Sequence, residues 1–212
     1  LWSRSVIDKH RIATPPDQLV RVVVAIDPPA TASEDSSEAG IVVVGSTADG
    51  CAHVLADGSR HGTPDEWGRQ AVRLYDEFEA DQIVGEVNNG GDMVGFTVKE
   101  CAKDLHRSGE RTSSVVPYVP VRASRGKLTR AEPVAALYSQ GRVRHVGLYP
   151  DLEDQMTSWV PGEQSPDRLD ALVWGLTALV IYGSNDIETW GGSDTTPQTS
   201  EQVSDVAKHD GV

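Results

Sequence analysis

Hydrophobic positions along the chain follow two patterns, unbroken apolar runs and repeats every three or four residues. Val22-Val23-Val24-Ala25-Ile26 is the first unbroken run, ending in Asp27 and halted by Pro28-Pro29. Such a run reads as a strand buried on both faces, with Asp27 at the rim of a sheet. Gly40 to Gly45 and Cys51 to Leu55 read as the second and third strands, joined by the small, acidic stretch Ala30 to Ala39 and by a short turn. Short, turn-rich connections predict an antiparallel meander. Thr63-Pro64-Asp65-Glu66 then has the form of a helix start with a capping box. Trp67, Ala71, Leu74 and Phe78 follow at helical spacing, giving one face to cover the sheet.

Gln82 to Val87 is a fourth strand with a second carboxylate, Glu86, near its end, and Asn88-Asn89-Gly90-Gly91 is a turn. Asp92 is placed to cap a helix carrying Val94, Val98, Cys101 and Leu105. Val115 to Val121 predicts a fifth strand, put at an edge by Pro117 and Pro120. Thr129-Arg130-Ala131-Glu132 offers a capping box for a helix that Gly141 ends. Arg142 to Val146 alternates as a half-exposed strand, and Leu152, Gln155, Met156 and Trp159 mark a short helix. From Ser165-Pro166-Asp167, the apolar Leu169, Leu172, Val173, Leu176, Leu179 and Val180 make the last helix a buried one.

Residues 1 to 19, with scattered Trp2, Val6 and Ile7 and the breaker Pro15-Pro16, read as a connecting arm rather than core. Beyond Gly183 the composition of Gly, Ser, Thr, Asp and Gln predicts a flexible tail. A length of 212 residues with 38% hydrophobic content suits one sizeable domain plus tails. No apolar run approaches the ~20 residues that span a bilayer. Cys51 and Cys101 make no disulfide framework, which favours a reducing compartment.

A net charge of −13 argues against nucleic acid as a partner, but its distribution weakens the objection. Arg122, Arg125, Lys127, Arg130, Arg142 and Arg144 fall between Val121 and Tyr149 with one acid, Glu132. That segment is either a phosphate-binding stripe or a solvated basic surface. Asp27 has two readings as well, a turn-initiating residue before proline or a metal ligand. Three features favour the ligand. Glu86 is the one acid on a strand otherwise of Gln, Ile, Val and Gly. Asp167 and Asp170 lie three apart, at the positive end of a greasy helix. A carboxylate there costs stability unless paired.

The order strand, strand, strand, helix, strand, helix, with carboxylates closing the first and fourth strands, resembles the plan of a ribonuclease H-like domain. This is an α/β fold whose mixed sheet, a three-stranded antiparallel meander followed by parallel strands, is flanked by helices. Such a sheet would make the first and fourth strands neighbours and bring Asp27, Glu86 and Asp170 together. Their repulsion would call for divalent cations, and an all-oxygen donor set favours Mg²⁺ or Mn²⁺ over zinc. Two ions about 4 Å apart could activate a water and stabilise a leaving 3′ oxygen.

The stretches Val22 to Pro28, Ile83 to Asp92, Lys127-Leu-Thr-Arg130-Ala with Gly141-Arg-Val, and Ser165-Pro-Asp167-Arg-Leu-Asp170-Ala-Leu-Val-Trp174 together resemble the nuclease domain of the large terminase subunit of tailed bacteriophages. The resemblance implies a metal-dependent endonuclease cutting concatemeric double-stranded viral DNA during packaging. It implies that Asp27 bridges two ions, that Glu86 holds one and Asp170 the other, and that Asp167 supports them. Lys127, Arg130 and Arg125 become candidates for DNA contact, and Asn88 either a DNA contact or part of a plain turn. The implied partners are the portal protein and the small terminase subunit, and the implied location is the host bacterial cytoplasm. Residues 1 to 20 would be the linker from an ATPase domain, 21 to 182 the nuclease domain and 183 to 212 the tail. The chain has no Gly-x-x-x-x-Gly-Lys-Ser/Thr loop, so ATP hydrolysis is not expected of it. Competing readings are another ribonuclease H-like nuclease (a junction resolvase or an RNA-cleaving relative), an actin-like nucleotide binder, and a docking module that does not cut.

Overall fold

The structure, a computed structural model, describes residues 1 to 28, 38 to 87, 93 to 123 and 126 to 181. Its centre is a seven-stranded mixed sheet. Strand β1 (Arg21–Asp27) pairs antiparallel with β2 (Glu38–Ser46), and β2 pairs antiparallel with β3 (Ala52–Asp57). A two-residue strand β4 (Arg60–His61) extends the far end of β2. On the other side of β1 lie β5 (Gln82–Glu86) and then β6 (Tyr118–Val121), both parallel to it. Beside β3, β7 (Val143–His145) closes the opposite edge, again in parallel. The meander, the adjacency of the first and fourth predicted strands and the edge position of the proline-bearing strand all match expectation.

Helix α1 (Arg4–Lys9) precedes the sheet, and α2 (Pro64–Glu77) and α3 (Met93–Arg107) sit on one face. Helices α4 (Lys127–Ser139), α5 (Pro150–Ser158) and α6 (Asp167–Leu176) cover the other, and α6 runs into a π-helical turn over Thr177–Ile181. Because side chains alternate along a strand, β1 feeds both cores. Val23 and Ala25 pack toward α6, while Val22, Val24 and Ile26 pack toward α2 and α3. This is why the run is unbroken. Leu169, Leu172 and Leu176 of α6 are almost wholly buried, each contributing about 1.5–3 kcal/mol of transfer free energy. The capping box at Thr63 and Glu66 forms as expected.

Four expectations change. The arm is not peripheral: Trp2 and Ile7 are buried in the core, and Trp2 packs edge-on against Tyr138 and tilted against Trp159. A short segment of low apolar density reveals nothing of the groove waiting for it. The capping box at Thr129 to Glu132 is absent, since α4 is capped at Gly126 and begins at Lys127, three residues earlier than a helix capped by Thr129. Burial of Arg130, Ala131 and Val134 favours the longer helix and overrides the cost of Pro133 in its interior. Strand β2 starts at Glu38 rather than Gly40, and the fifth strand shrinks to Tyr118–Val121. Both cysteines are free thiols, and no described helix is long and apolar enough to cross a membrane. The expected cap Asp92, the turn at Asn88 to Gly91 and the C-terminal tail lie outside the described residues.

Candidate active site

Alternation along the strands decides which way the rim carboxylates face. Asp27 shares the parity of Val23 and Ala25, and Glu86 that of Val84, all three packed in the core beneath α6. The registers end with Ile26 opposite Gly85, so the two carboxylates close neighbouring parallel strands. Across the antiparallel pair, Asp27 faces Gly40. A methyl group on Gly40 would lie 2.0 Å from the Asp167 carbonyl oxygen, so glycine is what allows the start of α6 to rest on the sheet beside Asp27. Gly175 repeats the device further along, where a Cβ would be 3.0 Å from Val44 and 3.2 Å from Ala25. Arg168 pins the same helix end laterally, donating to Asp57 at 2.6 Å and to Glu38 at 2.9 and 2.5 Å.

The result is a cleft of about 620 Å³ lined by Asp27, Glu86, Arg122, Lys127, Ser165 and Asp167, among others. Asp170, buried behind this lining, accepts hydrogen bonds from two of its residues, Lys127 Nζ and Ser165 Oγ, both at 2.5 Å. Glu86 Oε2 accepts from the indole Nε1 of Trp174 at 2.9 Å and lies 3.8 Å from Arg130 Nη1. The Arg130 guanidinium, buried, stacks over the Trp174 ring at 4.2 Å.

Electrostatically the site holds surplus negative charge. Burial pushes the Asp27 carboxyl well above its ordinary range, and the charges of Asp170, Glu86 and Asp167 push it further, with Lys127 opposing. Asp167 is raised to about 6, first by burial and then by Glu38 and Asp170. The donor set suits a hard divalent cation: carboxylate oxygens without thiolate or imidazole, around a buried acid whose charged form its neighbours disfavour. The described side chains are turned to their internal partners, and no three His, Cys, Asp or Glu among them are set to share one ion.

All four predicted acids, Asp27, Glu86, Asp167 and Asp170, therefore reach one place, and Lys127 and Arg130 reach it too. Both cations lie within α4 and are engaged by the carboxylates. Arg125 and Asn88 fall outside the described residues. Sequence reasoning missed Ser165, Gly40 and Trp174 as parts of the site. Trp174 was legible in principle, because it follows Asp170 by four residues and so shares its helix face.

A family model described as the terminase RNaseH-like domain matches residues 24–179. Among solved structures, the chain is similar to the large terminase of a thermophilic bacteriophage, with a TM-score of 0.53 and 12% identity over 79% of this chain and 42% of that one. It is similar to the P22 large terminase nuclease domain, with a TM-score of 0.53 and 12% identity over 78% of this chain and 84% of that one. It is also similar to the large terminase nuclease of the thermophilic phage G20c, solved with bound zinc, with a TM-score of 0.54 and 14% identity over 83% of this chain and 99% of that one. No curated protein matches by sequence. At such identities the structural likeness is one of fold, and the chain spans less than half of the first of these proteins. The family match is of a different kind: it runs from β1 through α6 and takes in every carboxylate of the cleft, and this chain belongs to the terminase RNaseH-like domain family.

Proposed function

We propose that this domain is a metal-dependent endonuclease that cuts concatemeric double-stranded viral DNA during genome packaging. The observation that carries the reading is the convergence of Asp27, Glu86 and Asp167 on one cleft, with Asp170 bonded to its lining from behind, from the ends of two neighbouring parallel strands and the start of the overlying helix. Family membership supports it, and so do the P22 and G20c relatives, both of them terminase nucleases.

In this reading Asp27, Glu86 and Asp170, with Asp167 in support, would hold two Mg²⁺ or Mn²⁺ ions. When bound, such ions supply a Lewis acid for the phosphate, an activated water and stabilisation of the leaving 3′ oxygen. The protein's own side chains do the rest. Lys127 holds Asp170 while its half-exposed ammonium borders the cleft, so it can exchange a carboxylate for a phosphate oxygen. Arg122 is exposed on the cleft wall, and no described residue pairs with it, which suits it to the DNA backbone. Arg125 and Asn88 remain candidates for that contact. Portal protein and small terminase subunit would be the assembly partners.

The test is cleavage of supercoiled plasmid in Mn²⁺ by the wild type and by Asp27→Asn. Nicking and linearisation should fall by more than ~100-fold, beyond the range found for residues that only support a ligand. Undiminished cutting by Asp27→Asn sinks the metal mechanism. Stronger cutting of RNA·DNA hybrids than of duplex DNA overturns the substrate assignment.

A further inference from the structure

We infer that Trp174 is a positioning residue for Glu86: its indole N–H fixes the carboxylate in the orientation required for metal binding, and the Arg130 guanidinium clamps the ring from its face. The inference rests on the nuclease reading of the cleft and deepens it. Three observations support it. Trp174 Nε1 donates to Glu86 Oε2 at 2.9 Å, a hydrogen bond between side chains 88 positions apart in sequence. The Arg130 guanidinium carbon sits over the same ring, 4.2 Å from its centroid, and Nη1 comes within 3.8 Å of the same oxygen. Trp174 and Arg130 are both buried, so neither contact is an opportunistic surface pairing.

A glutamate at the end of a strand has three rotatable side-chain bonds, and the neighbouring Asp27 repels it. A buried donor aimed at one oxygen restricts those rotations and withdraws one lone pair, which sets the direction of the others. The cation over the indole face stiffens the donor in turn, since a desolvated cation–π contact is stronger than an exposed one. Trp174 is also one helical turn beyond Asp170, so a single rigid helix delivers one acid to the cleft and the orienting group for another. Filling the core requires only an aromatic ring at this position. Holding Glu86 requires the N–H.

Trp174→Phe separates those roles, because it keeps the ring and removes the donor. Calorimetric titration of the full chain with MnCl₂ alone should show about a 10-fold weaker affinity in this variant, in the range known for groups that orient ligands, with the unfolding midpoint within a few degrees of wild type. A second readout needs no metal. Of the five tryptophan indole N–H resonances, the one that disappears in Trp174→Phe should shift in Glu86→Gln and stay in place in Glu153→Gln. Wild-type Mn²⁺ affinity in a folded Trp174→Phe protein overturns the inference while leaving the nuclease reading intact. Should that variant fail to fold, the absence of any indole resonance that moves in Glu86→Gln but not in Glu153→Gln overturns it instead. A wild-type chain that binds no Mn²⁺ overturns both.

Discussion

At the β7 edge of the sheet, Glu153 is fully buried among partners that outnumber it. Arg11 donates to its two oxygens at 2.6 and 3.0 Å, Arg4 at 2.5 Å and His145 Nδ1 at 2.9 Å, while Tyr138 completes the chain at 2.8 Å from His145 Nε2. Burial would raise the Glu153 pKa, but the hydrogen bonds from His145 and Arg11 and their charges hold it at about 2. At the rim of β1 and β5 the proportions are reversed, with four acids against Lys127 and Arg130. The buried Asp27 is pushed up rather than down. One cluster is complete without a ligand and serves to fasten the N-terminal segment to α5 and β7. The other has more anion than the protein neutralises, and surplus charge of that kind is stable only with a cation or proton. Burial of acids alone would not have distinguished them; the count and identity of their partners does.

The contrast can be broken most forcefully at Glu153. Glu153→Ala leaves two arginines facing a buried void, and should cost about 3–5 kcal/mol, lowering the melting temperature by roughly 6–20 °C in calorimetry. Activity measured well below that temperature should persist. Gly40→Ala comes next. Its Cβ has to displace the Asp167 carbonyl, so we expect a loss of about 1–3 kcal/mol in urea unfolding together with impaired plasmid cutting, because the start of α6 is lifted from Asp27. Asp27→Asn should act in the opposite sense on stability. Removing one of several crowded charges should stabilise the metal-free protein by about 0.5–2 kcal/mol while abolishing cleavage, and a destabilised variant would argue that Asp27 is satisfied structurally.

The smallest effect is in the pH dependence of stability, where the two clusters carry opposite signs. Glu153, lowered from 4.5 to about 2, contributes stability that is complete above about pH 4.5 and is lost as pH falls through about 2. Asp167, raised from 3.8 to about 6, binds its proton more tightly when folded, so its contribution is present below about pH 3.8 and is lost as pH rises through about 6. Urea midpoints recorded across this range should show that Asp167→Asn flattens the slope between about pH 4 and 6 and leaves the acid limb unchanged. An unchanged slope there would contradict the environment assigned to Asp167.

Much of this arrangement could be read from the chain. The apolar run ending at Asp27 and the apolar strand bearing Glu86 define a buried sheet with acids at its rim, because period-two burial leaves few alternatives for such runs. Asp167 and Asp170 at the start of an apolar helix follow from the same kind of reasoning with a different period. Trp174 was harder to place. An aromatic residue in a greasy helix is equally consistent with core, and its partner Glu86 is far away in sequence. Trp2 and Ile7 were hidden for a related reason, since their burial depends on a groove formed by α4 and α5 rather than on any local pattern.

By itself, then, the sequence determined most of the strands and helices, their order, the acids at the sheet rim and helix start and the resemblance of their motifs to a terminase nuclease, since each of these depends on periodicity or on residues adjacent in the chain. Tertiary structure alone decided which acids are paired and which remain in surplus. Glu153 draws its two arginines from a segment more than 140 positions away, and Glu86 is held by an indole 88 positions on. Desolvation and Coulomb forces act through distance in space, and only folding brings those charges close enough to tell a closed ion cluster from an open one.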